Sequence, residues 1–219
     1  LITSSAASDV YKRQLLETQN SGKGQVIDAA MTDGSSLLMT MMYSMHQSGF
    51  WNLERQTNLL DGAAHFYDTY ECKDGKYVSI GSIEPQFYAL LCEKAELSFD
   101  DFGDQMKRDT WQNKKQLIKD VFLTKTREEW CDLMEGSDVC FAPVLDMSEA
   151  PMHPHNIARQ TFIEIEGVTQ PAPAPRFDRT QNEITLPPAI AGEHSKEILE
   201  SIGIDSNEYD RLISSGSVV

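Results

Sequence analysis

The stretch YDTYECKDGKYVSIGSIEPQFYALLCEK, from Tyr67 to Lys94, decides the fold class. YDTYEC and KYVSIGS read as two strands rich in aromatic and β-branched residues, and the Lys-Asp-Gly between them suits a β-hairpin turn. The following EPQFYALLCEKAEL reads as a helix. Pro85 takes its first helical position, so Glu84 stands at the corner between strand and helix. The helix macrodipole favours a negative charge at that end. A carboxylate fixed there is suited to accept a hydrogen bond from a histidine ring and hold its tautomer. A charge that merely suits a helix start is the simpler alternative, and the local sequence leaves both open.

Outward from the hairpin, TWQNKKQLIKDVFLTK predicts an amphipathic helix. TREEWCDLMEGSD predicts another, with Thr126 as N-cap and Glu129 at the capping-box position. VCFAPVLD is a short apolar strand or extended segment. From Ala150 the composition shifts: APMHPHN and VTQPAPAPRF are proline-rich and extended, and AGEHSKEILESIGI is a helix ended by Gly203. Upstream, FWNLERQTNLLDGAAHF lacks a sustained period and reads as a long connection. TDGSSLLMTMMYSMHQSG predicts a helix with Thr32 or Asp33 as N-cap, whose Leu37, Leu38, Met41, Met42 and Met45 form a stripe expected to pack in a core. QVIDAAM has strand character, SGKG is a turn, and LLETQN resembles the end of a helix. The first fourteen residues carry no clear period. The organisation is α/β.

Composition narrows the function classes. A chain of 219 residues with 40% hydrophobic and 24% charged residues can bury a sizeable core. Its most apolar piece, SSLLMTMMYSM, has 11 residues, far short of the roughly 20 that cross a bilayer. No basic segment followed by an apolar one opens the chain, so a soluble intracellular protein is expected. The net charge of −15 argues against nucleic acid or an anionic membrane as partner, because Lys and Arg must dominate such a face. Four cysteines at 72, 92, 131 and 140 form no CxxC pair, so reduced and mostly buried thiols are expected.

Histidines 46, 65, 153, 155 and 194 are the candidate partners for Glu84. His153 and His155 flank a proline in a loop and lack a third ligand at a familiar metal spacing. His194 is expected to cap a helix, and His46 to lie buried and hydrogen-bonded. No GxSxG, P-loop, HExxH or GxGxxG occurs, which removes the commonest hydrolase, kinase and dinucleotide readings.

Taken together and in order, SGKGQVIDAAMTDG, NLLDGAAHFYDTYE, DGKYVSIGSIEPQFY, CFAPVLDMSEA, PAPRFDRT and GEHSKEIL resemble the α-methylacyl-CoA racemases of the family III CoA-transferase superfamily. The resemblance runs from about Leu15 to the neighbourhood of Gly203. It departs at Ala63, where glycine is usual, and at His65, where proline is usual. It implies a family III CoA-transferase fold, with a small α/β domain at 63–148. Remnants of a Rossmann-like large domain would lie at 15–62 and 149–219, and residues 1–14 stay unassigned and foreign to the pattern.

The resemblance also implies a chemistry. A thioester acidifies its α-proton, one residue removes that proton, an enolate forms, and a second residue returns a proton to the opposite face. Those two roles fall to a histidine and an aspartate upstream of SGKGQV. Only twenty residues precede Ser21 here, and they match neither segment, so the chain is expected to be a C-terminal portion that is inactive alone. Glu84 would tune the histidine, while Leu60, Tyr67, Ile83 and Pro85 would line the acyl pocket. The implied substrate is an acyl-CoA thioester, with no cofactor beyond that CoA, and the implied assembly is an interlocked homodimer. The expected compartment is the cytoplasm, with mitochondria and peroxisomes as alternatives. Rival readings are a CoA-transferase working through an acyl-aspartate intermediate and a non-catalytic dimerisation module.

Overall fold

The structure, a computed structural model, describes residues 2–184 and 186–218. The chain divides after Val144 into two compact units. In the first, the hairpin forms as its sequence predicts: β1 (Tyr67–Glu71) pairs antiparallel with β2 (Tyr77–Gly81), from Tyr67 opposite Gly81 to Glu71 opposite Tyr77. Gly75, at φ 75°, supplies the left-handed position that closes the turn, and its amide donates to Cys72 O at 2.9 Å. β3 (Phe141–Pro143) joins the other side of β2, also antiparallel. As an outer strand it tolerates Pro143, which has no amide to donate.

Four helices belong with this sheet: α4 (Pro85–Lys94), α5 (Phe99–Phe102), α6 (Trp111–Phe122) and α7 (Arg127–Met134). Trp111, Lys114, Ile118 and Phe122 share the buried face of α6 at helical spacing. The capping box of α7 is present, with Thr126 accepting from the Glu129 amide and the Glu129 carboxylate taking the Thr126 amide at 2.8 Å. All buried hydrophobic residues described fall between Ala63 and Val139. Phe122 and Trp130 meet edge-on at 4.9 Å, and Tyr70 stacks on Phe122 at 5.2 Å. The polar tips in this core are satisfied: Trp130 Nε1 donates to Phe122 O, Trp111 Nε1 to Gln105 O, and Tyr70 Oη to His65 O.

The upstream part departs from its sequence pattern. A helix, α1 (Ile2–Ser21), reaches back through residues to which no period could be assigned. From Tyr11 to Ser21 it is exposed apart from the half-buried Gln14. No apolar stripe is needed for such a helix, because Leu, Gln, Glu, Lys and Arg all have good helix propensity. QVIDAAM forms no strand: among the described residues nothing pairs with it, and Val26 is 98% exposed. The methionine-rich segment is two helices, α2 (Met31–Leu38) and α3 (Thr40–Gln47), and Ala30 rather than Thr32 or Asp33 occupies the N-cap. Its stripe is not core. Leu37, Leu38 and Met41 are exposed, and Met42 and Met45 only half-buried. Helical spacing reveals an apolar face but says nothing about what covers it. The four thiols are free, and only Cys72 is fully buried, contrary to the expectation of mostly buried thiols.

The second unit holds α8 (Pro154–Ala158), a hairpin of β4 (Phe162–Ile165) and β5 (Val168–Pro171), then α9 (Ser195–Ser201) and α10 (Ser206–Ser214). Asp205 caps α10, accepting the Glu208 amide at 2.9 Å. Among the described residues, no helix is long and apolar enough to cross a membrane.

Candidate active site

Glu84 occupies the N-cap of α4 with extended backbone (φ −70°, ψ 142°), Pro85 follows at the first turn, and the Tyr88 amide donates to Glu84 O at 3.0 Å. Its side chain makes no capping bond and is exposed. The corner beneath it is held from three directions. Ser82, fully buried, donates from Oγ to Val139 O at 2.5 Å, and its amide donates to Phe66 O at 3.0 Å. The Gln105 amide nitrogen then donates both to Ser82 O at 3.0 Å and to Ile83 O at 2.9 Å. The carboxylate therefore projects from a backbone whose own hydrogen bonds are committed to the core.

A cavity of about 430 Å³ opens beside this corner. Leu60 and Tyr67 line it, together with Asp61, Asp68, Gly81 and Cys140. Ile83 and Pro85 are not part of that lining: Ile83 packs against the core, and Pro85 is exposed at the corner. Cys140 links the two regions. Its carbonyl accepts the Gly81 amide at 2.8 Å, and its own backbone is left-handed at φ 57°. Burial pushes the Cys140 thiol up, with the charges of Glu84 and Asp138 adding to the effect.

The loop that forms one wall is more ordered than its irregular sequence suggests. Asp61 is its hub: Oδ1 accepts the Asn58 amide at 2.8 Å, and Oδ2 accepts Asn58 Nδ2 at 2.7 Å. Burial opposes the charge, yet hydrogen bonds from Asn58, Thr57 and Ala63 hold the Asp61 carboxyl below its usual range. Lys115, reaching over from α6, contacts both Gly62 O and the Asp68 carboxylate. Gly62 itself sits at φ 89°, and an added Cβ would come no nearer than 3.7 Å to Asp68 Oδ1. Gly62→Ala is therefore expected to cost about 1 kcal/mol through the backbone and not through a clash. Urea unfolding of the variant checks this, and an unchanged midpoint counts against it.

The histidines are engaged elsewhere. His65, fully buried, meets Tyr88 Oη through Nε2 at 2.7 Å. His46 is exposed, not buried as expected, with Nδ1 2.9 Å from Trp51 O. His153 caps α8, accepting the His155 amide at 3.3 Å. His194 holds the N-cap position of α9 without a capping bond, and its Nε2 is buried without a partner. Among the described residues no group of three or more His, Cys, Asp or Glu is placed to hold a metal ion. Sequence reasoning missed Asp68, Gln105 and Lys115. Their contacts join residues far apart in the chain, and no local signal marks them.

The mixed α/β fold that carries this hairpin and helix has counterparts among solved structures. A crystal structure of a CAIB/BAIF family protein from Brucella suis superposes with a TM-score of 0.65 at 17% identity, covering 86% of this chain and 50% of that one. The chain belongs to CoA-transferase family III, whose profile matches residues 7–195. It is 39% identical over 211 residues to the Alpha-methylacyl-CoA racemase of Mus musculus, which covers 92% of this chain and 55% of the relative. It is 26% identical over 219 residues to the Succinyl-CoA:glutarate CoA-transferase of the same species, covering 93% of this chain and 49% of the relative. The chain thus spans about half the length of the curated relatives it matches.

Proposed function

We propose that this chain supplies one wall of an acyl-CoA racemase site: the Glu84 corner and the neighbouring cavity bounded by Leu60 and Tyr67. The substrate is a 2-methylacyl-CoA thioester, and the reaction removes the α-proton and returns one to the opposite face, with no cofactor beyond the CoA of the substrate. Glu84 is a positioning residue. Its carboxylate accepts a hydrogen bond from the imidazole that takes the proton, which fixes the tautomer and favours the imidazolium formed in the step. The imidazole and the opposing aspartate come from outside the residues that build this wall, and the working assembly is a homodimer. The observation that carries the reading is an exposed carboxylate on a corner whose flanking hydrogen bonds are committed to the core.

Deuterium exchange at the α-carbon of a 2-methylacyl-CoA tests it. The 219-residue chain alone is expected to show none. The same chain joined to the portion of the mouse racemase that it does not match is expected to exchange. Glu84→Gln in that fusion is expected to slow exchange by about 10²-fold. Exchange by the chain alone, or an undiminished rate in the fused variant, contradicts the proposal.

A further inference from the structure

The wall of the cavity carries an unusual charge arrangement. Among the described residues its lining holds two carboxylates, Asp61 and Asp68, and no Lys, Arg or His. Asp61 is held by the neutral donors Asn58 and Thr57, so its hydrogen bonds satisfy the charge without cancelling it. The Lys115 ammonium contacts two residues of this wall, the Asp68 carboxylate and Gly62 O, and is committed to both. Two carboxylates and one ammonium leave the wall net negative. The Asp68–Lys115 pair is partly shielded, each side chain being 23% exposed, so it is less screened than a pair on the open surface.

Resting on the reading of this cavity as the acyl site, we propose that Asp68 sets its specificity by occupying Lys115, so that acyl groups ending in a second carboxylate are refused and uncharged acyl groups admitted. A carboxylate on the acyl tail would meet Asp61 and Asp68 as like charges, and could pair with the Lys115 ammonium only by displacing Asp68 from it. An uncharged tail meets Leu60, Tyr67 and Ile80 and disturbs neither pair. The pair acts as a charge gate, in which the repulsive element does the selecting. The transferase of Mus musculus similar to this chain has in its name succinyl-CoA, whose acyl group ends in such a carboxylate, and glutarate, a dicarboxylate. This wall is built against them.

The test uses the N-acetylcysteamine thioesters of butanoate and succinate, which differ at the chain end in methyl against carboxylate. Each is titrated into the isotopically labelled protein, with the backbone amides of residues 60–68 and 79–81 as reporters. The butanoyl thioester is expected to bind at least about tenfold more tightly. In Asp68→Asn the Lys115 ammonium is released toward the cavity, and the ratio of succinyl to butanoyl affinity should rise about tenfold. In Lys115→Met the succinyl thioester should bind more weakly still. Equal affinities in the parent protein, or an unchanged ratio in both variants, overturn the specificity inference and leave the acyl site standing. If neither thioester shifts the reporters, the acyl-site reading falls and the inference with it.

Discussion

Acidification from pH 6.5 toward 3 is expected to destabilise the protein by up to about 1.4 kcal/mol per pH unit, through His65 alone. The ring is fully buried, with Nε2 2.7 Å from Tyr88 Oη, while the Tyr88 hydroxyl donates to Phe102 O at 2.8 Å. Tyr88 has thus used its only proton, so Nε2 must carry the imidazole hydrogen, and Nδ1 is left buried with no partner to stabilise a second one. Burial, helped by the Lys114 ammonium, lowers the pKa of His65 from 6.5 to about 3. Below 6.5 the unfolded chain takes up a proton that the folded protein refuses, so stability is complete above that value and drains away as the pH falls. The window from pH 5 to 6.5 isolates the effect, since most carboxylates titrate lower. Denaturant unfolding across that window should show the slope in the parent and lose it in His65→Gln, which keeps a donor for Tyr88 but does not titrate. A slope that survives in the variant assigns the effect to another group.

Trp130→Ala is expected to remove about 3–5 kcal/mol. Against a typical domain stability of about 5–15 kcal/mol, a loss of that size brings the protein to the edge of unfolding. Trp130 is fully buried, packs edge-on against Phe122, donates its indole hydrogen to Phe122 O at 2.9 Å, and takes Lys125 Nζ over its ring at 4.6 Å. Its removal opens a cavity where α7 meets α6 and leaves a core carbonyl without that donor. Trp130→Phe keeps much of the volume and should cost distinctly less. Equal losses for both variants in urea unfolding would show that the hydrogen bond, and not the packing, dominates.

The parts of the fold that could be read from sequence are those with local causes. The hairpin from Tyr67 to Gly81 announced itself through strand-forming residues and a Lys-Asp-Gly turn, α4 through Pro85, and α7 through Thr126 and Glu129. Where the cause was distant, reading failed. QVIDAAM had strand-like residues but no neighbour to pair with, and the α2–α3 stripe had helical spacing but no core to enter. The hairpin of β4 and β5 and the helix α10 also went unrecognised, the former hidden among prolines and polar residues. At the site, Leu60 and Tyr67 line one cavity, and Glu84 took the expected helix start. Ile83 and Pro85 are not among the residues that line that cavity. His65, which stands where that resemblance leads one to expect proline, gave no sign that it would pair with a tyrosine 23 residues later.

Gln105 ties the Glu84 corner to a distant part of the chain. The side-chain amide of Gln105, a residue whose backbone carbonyl accepts from Trp111, serves two backbone oxygens just ahead of Glu84. Substitution at 105 therefore acts on a carboxylate twenty-one positions earlier without touching it. A side chain at 105 that cannot donate twice leaves the carbonyls of Ser82 and Ile83 without those partners, and the bend on which Glu84 rides must then reshape.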